Sequence, residues 1–296
     1  MRHARRIAIV LGGLVGFAAA AAGGESVKLK PESSIYVDAA GGGLSRPEGV
    51  GCTNAALAVA DTGHGRIVLY EVREDALRPR GEIVAPQVPL PLRVGFLSGG
   101  DLLALDGRSR RIGRLSPAGE FRGWLEPDVG PLEPRSFAVG PADRVHVLDL
   151  AGRRVLVVDP AGAVERTIAF PPAAAFLSDL AVDGRGDVYA IDSVGRRAYA
   201  ARAGESALAG LGPSLDKELD FPTAIAVDDD GRLFVLDEHG GGIVILGRDG
   251  SFRGRQSAMG WKDGLLRYPA DVCLDGRGSL FVAERGNSRV QRFLVR

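Results

Sequence analysis

One pattern recurs six times along this chain of 296 residues, and it constrains the fold more than any other feature. In the last copy, the segment from Tyr268 reads YPADVCLDGRGSLFVAE and is followed, after a short turn, by RVQRF. Each copy reads as a strand, a turn rich in Asp and Gly, a second strand ending in an acidic residue, and a third apolar strand. The acidic residues that mark the six copies are Asp61, Asp106, Asp149, Asp192, Asp237 and Glu284.

A fourth, more polar strand follows in most copies, as in FRGWL from Phe121 and FRGRQ from Phe252. Four antiparallel strands in each repeat of about 40–50 residues are typical of a β-propeller. A β-solenoid is the weaker alternative, because its repeats are usually shorter. The sequence therefore predicts an all-β, six-bladed β-propeller.

The repeat also resembles a known family. The frame PTAIAVD from Pro222, LFVLD from Leu233 and RVQRF from Arg289 is similar to the NHL repeat. The resemblance runs from about Ser45 to the end of the chain and is weakest in the second copy, which lacks the Asp turn. It implies a six-bladed NHL propeller, a family whose fold is well defined but whose functions vary.

The N-terminal segment has the pattern of a targeting signal. Residues 1–24 contain three arginines, then a run of apolar residues, then small residues, as secretory signal peptides do. A retained membrane anchor is the alternative, although the run is short for a span of about 20 residues. We therefore expect a signal peptide at 1–24, an N-terminal segment at 25–44 and the propeller at 45–296. The mature protein would then be exported to the periplasm or the cell exterior, without a membrane span.

The charge balance of the chain limits the kinds of partner that we expect. The chain has 37 basic and 37 acidic side chains and a formal net charge of zero, so no charge excess indicates nucleic acid or an anionic membrane. The expected partner is a protein or a glycan of the cell envelope. The protein itself would be a monomer or a component of a complex.

Two features predict how the ring closes. The last copy ends with its third strand, so we expect Ile35 to Val37 to supply the outer strand of the last blade, which would otherwise have an unpaired edge. Cys52 and Cys273 lie in the inner strands of the first and sixth copies, on faces that meet once the ring is closed. A disulfide between them is one interpretation, and two buried free thiols are the other.

A functional site on a repeat protein must break the symmetry of the repeats. The residues near the start of each inner strand surround the mouth of the central channel, and five of them are charged. These candidate ligand-binding residues are Glu48, Arg93, Arg135, Asp179 and Asp271. The alternative is a solvated rim of charges that neutralise one another. Trp261, in the longest connection, is a candidate partner contact or a cap on the edge of the core.

The sequence favours binding over catalysis. It contains no Gly-x-Ser-x-Gly elbow, and neither cysteine is paired with an evident base. The NHL resemblance implies an interaction platform, and we expect no cofactor for it. The alternative is a metal-dependent, lactonase-like hydrolase at the channel mouth, in which Glu48, Asp179 and Asp271 would bind a calcium ion.

Overall fold

A computed structural model describes residues 27–74 and 76–296. The predicted signal peptide, residues 1–24, lies outside this range. The described part of the chain contains twenty-four β-strands and two short 3₁₀ helices, Thr62–His64 and Pro141–Asp143. Neither helix is long and apolar enough to cross a membrane.

The strands form six antiparallel sheets of four strands each, and each sheet is one blade of the propeller. From the inner strand outward, blade 1 is β2 (Pro47–Cys52), β3 (Ala56–Asp61), β4 (Arg66–Val72) and β5 (Leu77–Ile83); blade 2 is β6 (Pro91–Phe96), β7 (Leu102–Asp106), β8 (Arg111–Leu115) and β9 (Phe121–Leu125); blade 3 is β10 (Pro134–Val139), β11 (Val145–Asp149), β12 (Arg154–Val158) and β13 (Val164–Ala169). Blade 4 is β14 (Leu177–Val182), β15 (Val188–Asp192), β16 (Arg197–Ala201) and β17 (Ala209–Leu211); blade 5 is β18 (Pro222–Val227), β19 (Leu233–Asp237), β20 (Gly242–Leu246) and β21 (Phe252–Gln256); blade 6 is β22 (Pro269–Leu274), β23 (Ser279–Glu284), β24 (Arg289–Val295) and β1 (Leu29–Ile35). The predicted six-bladed β-propeller is confirmed.

The hydrophobic core is divided among the contacts between neighbouring blades. Six clusters of buried side chains each combine residues of two adjacent blades, for example Phe234 of blade 5 with Phe293 of blade 6. The second strand of each blade is covered on both faces, and all five residues of β19 are buried. The outermost strands are partly solvated, as the polar β21 shows. This is why the second strands are the most apolar part of each repeat.

The acidic residue that marks each repeat fixes the entry to the inner strand. In all six blades its carboxylate accepts a backbone N–H from the residue one or two positions before that strand, at 2.6–3.0 Å. In blades 1, 3 and 6 it also binds the arginine that opens the third strand. Blade 5 has Gly242 at that position, and Arg255 of the fourth strand binds Asp237 there instead, at 2.8 Å.

The ring closes through the two ends of the described chain, as predicted. β1 pairs antiparallel with β24, from Leu29 opposite Val295 to Ile35 opposite Val290. The strand lies earlier than the predicted Ile35 to Val37, because it ends at Ile35, and Val37 forms only an isolated bridge with Gly43.

Blades 6 and 1 are also joined near the channel. The structure links Cys52 and Cys273 by a disulfide, with their Cα atoms 6.0 Å apart. Both cysteines pack against the cluster of buried residues between these two blades. On the other side of blade 1, its inner strand approaches blade 2 so closely that a Cβ at Gly49 would lie 2.5 Å from the carbonyl oxygen of Leu92.

Candidate functional site

The site is built on a backbone irregularity that occurs in every blade. The register of each inner strand shifts at its second residue, where a β-bulge interrupts the ladder. Bulges re-aim side chains, and here they present one residue of each blade at the same end of the channel. These six bulge residues are Glu48, Leu92, Arg135, Ser178, Thr223 and Ala270.

All six bulge residues line one cavity of about 280 Å³, which we call the mouth cavity. Arg93, Glu238 and Arg285 complete its lining. The sequence predicts Glu48, Arg93 and Arg135 at this mouth, and the structure brings all three together there. The sequence pattern did not predict Glu238 and Arg285 as lining residues. They directly follow the acidic marker residues of blades 5 and 6.

Arg93 forms the floor of the mouth cavity with two aspartates from distant blades. Its guanidinium binds the carboxylates of both Asp179 and Asp271. We call these three residues the central ion cluster. The side chains of Asp179 and Asp271 are 1% and 4% exposed, and that of Arg93 is 14% exposed. The two aspartates therefore lie beneath the mouth and not on its rim, which corrects their placement from sequence.

The central ion cluster and Ser136 together connect all six blades. Asp271 of blade 6 accepts the N–H of Val50 in blade 1 at 2.9 Å, and Asp179 of blade 4 accepts the N–H of Ile225 in blade 5 at 2.9 Å. Ser136 of blade 3 donates to Asp179 at 2.6 Å and accepts from Arg93 of blade 2 at 3.0 Å. One arginine, two aspartates and one serine thus link the inner strands of the six blades by ion pairs and hydrogen bonds.

Burial determines the electrostatics of Asp271. It raises the pKa of this carboxyl, against the lowering effects of Arg93 and of the N–H groups of Val50 and Val272. The ionised carboxylate is therefore held by its partners in a site that disfavours charge.

Glu48 and Glu238 share one arginine at the cavity wall. Arg285 binds Glu238 directly and lies 3.5 Å from a carboxylate oxygen of Glu48. Arg46 approaches Glu48 from outside, at 3.7 Å. Burial nevertheless raises the pKa of Glu48, since these partners compensate its desolvation only in part.

Arg135 differs from every other charged residue of the cavity. Its Nε is buried and has no hydrogen-bond partner among residues 27–74 and 76–296. Its guanidinium lies over the ring of Phe176, 5.7 Å from the ring centre. Burial lowers its pKa, and the positive charges of Arg93 and Arg110 lower it further. The mouth therefore contains one guanidinium without an anionic partner in the described structure.

The channel continues beyond the central ion cluster into a second cavity. This cavity has a volume of about 220 Å³ and is lined largely by apolar residues from the later part of each inner strand. Val94, Phe137 and Leu180 are among them, and so are the two cysteines. Arg93 and Asp271 line this cavity as well, so the cluster lies between the two ends of the channel.

The donor set does not fit the metal site considered from sequence. Asp179 and Asp271 already bind the guanidinium of Arg93, which occupies the place between them. Glu48 is paired instead with Arg46 and Arg285. In the described part of the chain, no group of three or more His, Cys, Asp or Glu residues is arranged to hold a metal ion. A calcium ion bound by these three carboxylates would first have to displace an arginine.

Trp261 is not part of the mouth cavity lining and lies in the connection between blades 5 and 6. Its side chain is the most exposed large apolar group described, at 75%. Its backbone carbonyl accepts from Arg289 at 3.0 Å, which anchors the connection while leaving the indole in solvent. This exposure is consistent with a partner contact and does not fit a cap over the core.

The comparisons with known proteins agree with this architecture. The chain is a six-bladed β-propeller. It carries an NHL repeat, since the NHL family model matches residues 266–293, within blade 6 and the connection before it. NHL repeat-containing protein 3 of Mus musculus is 33% identical over 87 residues, which are 28% of this chain and 24% of that protein. The match thus spans about a quarter of that relative's length.

Several solved structures share the fold. Virginiamycin B lyase from Staphylococcus aureus is 12% identical with a TM-score of 0.63, covering 90% of this chain and 99% of that one. A gluconolactonase from Xanthomonas campestris is 14% identical with a TM-score of 0.65, covering 91% and 98%. An auxiliary nutrient binding protein from Bacteroides ovatus is 13% identical with a TM-score of 0.62, covering 82% and 67%. At these identities the likeness shows the fold alone.

Proposed function

We propose that this propeller is an exported, non-catalytic binding platform that holds a protein or glycan partner of the cell envelope at its mouth cavity. The observation that carries the proposal is the ring of six bulge residues. They occupy the same backbone position in every blade but differ in side chain, and they surround one preformed polar cavity. Such an arrangement supplies a rigid scaffold with a chemically varied surface, which suits recognition.

The hydroxyl groups of the cavity support a binding role. Ser178 donates to the carbonyl of Ile191 at 3.3 Å, and Thr223 donates to the carbonyl of Pro269 at 3.3 Å. A nucleophilic hydroxyl needs a general base within hydrogen-bond reach, and neither has one in these contacts. Both can still accept hydrogen bonds from a bound ligand.

The cellular location is inferred from the sequence. The signal-like residues 1–24 favour export, and a disulfide between Cys52 and Cys273 would persist in an oxidising compartment such as the periplasm. The exposed Trp261 offers a second surface through which a larger partner would be held.

The alternative is a metal-dependent, lactonase-like enzyme at the same mouth. Two of the similar solved structures have enzyme names, and Glu48 has the raised pKa that suits a general acid or base. In this alternative, calcium would have to replace Arg93 between Asp179 and Asp271.

Metal analysis and ligand arrays on the purified mature protein distinguish the two functions. For a binding platform we expect no stoichiometric metal after desalting. We also expect binding on glycan or peptide arrays that is lost when Glu48→Gln and Arg135→Gln are combined. Arg166→Gln, on the outer strand of blade 3, is the control. About one calcium or zinc ion per chain, with lactone hydrolysis abolished by Asp179→Asn, would overturn the proposal.

A further inference from the structure

The charge pairing in the mouth cavity is incomplete at one residue. Glu48 and Glu238 both have arginine partners, and Arg93 has two carboxylates. Among the charged residues of the cavity, Arg135 alone forms neither an ion pair nor a side-chain hydrogen bond in the described structure, and Glu48 attracts it only at longer range. A partly buried guanidinium is expected to have an anionic partner, because its desolvation is otherwise uncompensated. A bound anion would supply that partner.

The surroundings of Arg135 favour a singly charged anion that also carries hydroxyl groups. Only one positive charge is unpaired, and the carboxylates of Glu48 and Glu238 would repel a doubly charged anion more strongly than a singly charged one. The same carboxylates accept hydrogen bonds well and would bind hydroxyl donors. The side chains of Ser178 and Thr223 add two further acceptors to the cavity lining.

The size of the cavity limits the ligand. Its volume of about 280 Å³ lies just below the range of about 300–1,000 Å³ that is typical of small-molecule sites. That space suits one small polyhydroxylated ring. The cavity is also open to solvent at the strand starts, so a ring that belongs to a longer chain would enter end-on.

From these three features we infer that the mouth cavity binds a hexuronate, free or as the terminal residue of an acidic glycan, with its carboxylate on Arg135. The guanidinium would hold the carboxylate through two parallel hydrogen bonds. Glu48 and Glu238 would accept from the ring hydroxyls. This inference rests on the proposed binding role and names its ligand class.

The test is isothermal titration of the mature protein with D-glucuronate at pH 7. D-glucuronamide, which has the same shape without the charge, and inorganic phosphate are the comparison ligands. The variants are Arg135→Gln and, as a control with the same loss of charge in the same blade, Arg166→Gln. Arg135→Gln is expected to fold normally, because the arginine makes no hydrogen bond that holds the blade together, and a thermal melt checks this.

We expect D-glucuronate to bind wild type and Arg166→Gln equally, and Arg135→Gln at least tenfold more weakly. Glucuronamide and phosphate should each bind wild type at least tenfold more weakly than glucuronate. Equal binding to Arg135→Gln, or tighter binding of phosphate, would overturn the assignment. Absence of glucuronate binding alongside specific binding of other array ligands would also overturn it, while leaving the platform role intact.

Discussion

Replacing Arg93 by methionine should destabilise the ring through its centre. The methionine keeps the apolar stem of the side chain but removes the guanidinium that binds Asp179 and Asp271. Two buried carboxylates then lose their positive partner while keeping their backbone N–H donors, Val50 and Ile225.

The expected loss follows from the burial of these groups. Removing one partner of a buried ion pair typically costs about 3–5 kcal/mol, because the remaining charge is uncompensated. At roughly 2–4 °C per kcal/mol for a domain of this order of size, the melting temperature should fall by roughly 6–20 °C. The pKa of Asp271 is already raised by burial, and removal of Arg93 raises it further. When the pKa of a carboxyl is higher in the folded protein than in the unfolded chain, the free energy of unfolding decreases as the pH rises from the unfolded pKa to the folded one. The loss of stability caused by Arg93→Met should therefore be larger at pH 8 than at pH 5.

Urea unfolding at pH 5 and pH 8 measures both effects on the free energy of unfolding. The matched control combines Arg93→Met with Asp179→Asn and Asp271→Asn, which removes the unpaired charges and should recover most of the loss. A deficit below about 1 kcal/mol at pH 8, or one that does not change with pH, would refute the account of the central ion cluster.

Two further predictions concern closure of the ring. A chain that begins at residue 42 lacks β1 and should melt at a much lower temperature than one that begins at residue 27, because β24 is left with a bare edge and Leu29 and Ile35 leave the core; equal melting temperatures would contradict this closure. The denatured, unreduced protein should contain no free thiol, and replacing Cys52 and Cys273 by serine should lower the free energy of unfolding by about 2–5 kcal/mol. Two titratable thiols in the unmodified protein would show that the bridge is not formed.

The sequence predicted the number of blades because the buried second and third strands carry a regular apolar pattern in every copy. It located the closing strand less well, since β1 is an outer strand whose central residues face solvent. The segment Lys30, Pro31, Glu32 and Ser33 has no apolar alternation, and its register is interrupted at Pro31. The position of such an edge strand depends on the unpaired strand that it covers, here β24, and its own sequence carries little signal.

The candidate site was predictable in position but not in its contacts. The repeats place Arg93, Asp179 and Asp271 at equivalent positions of blades 2, 4 and 6, so opposite charges in alternate blades were a signal that the sequence contained. That they meet across the channel depends on its width, which no local pattern specifies. The isolation of Arg135 is harder still to predict, because it is a property of its neighbours and not of its own residue type.

The pairing of β1 with β24 also sets an order of events during synthesis. The first strand of the described chain to be made has as its only ladder partner the last, 266 positions later where Leu29 meets Val295. Five blades form from neighbouring segments before β1 can pair, so we expect completion of the sixth blade to be the slowest step of folding. Until then β24 is an open edge, and at high concentration a second copy can donate its own β1 to it. A strand-exchanged dimer is therefore the characteristic misassembly of this architecture.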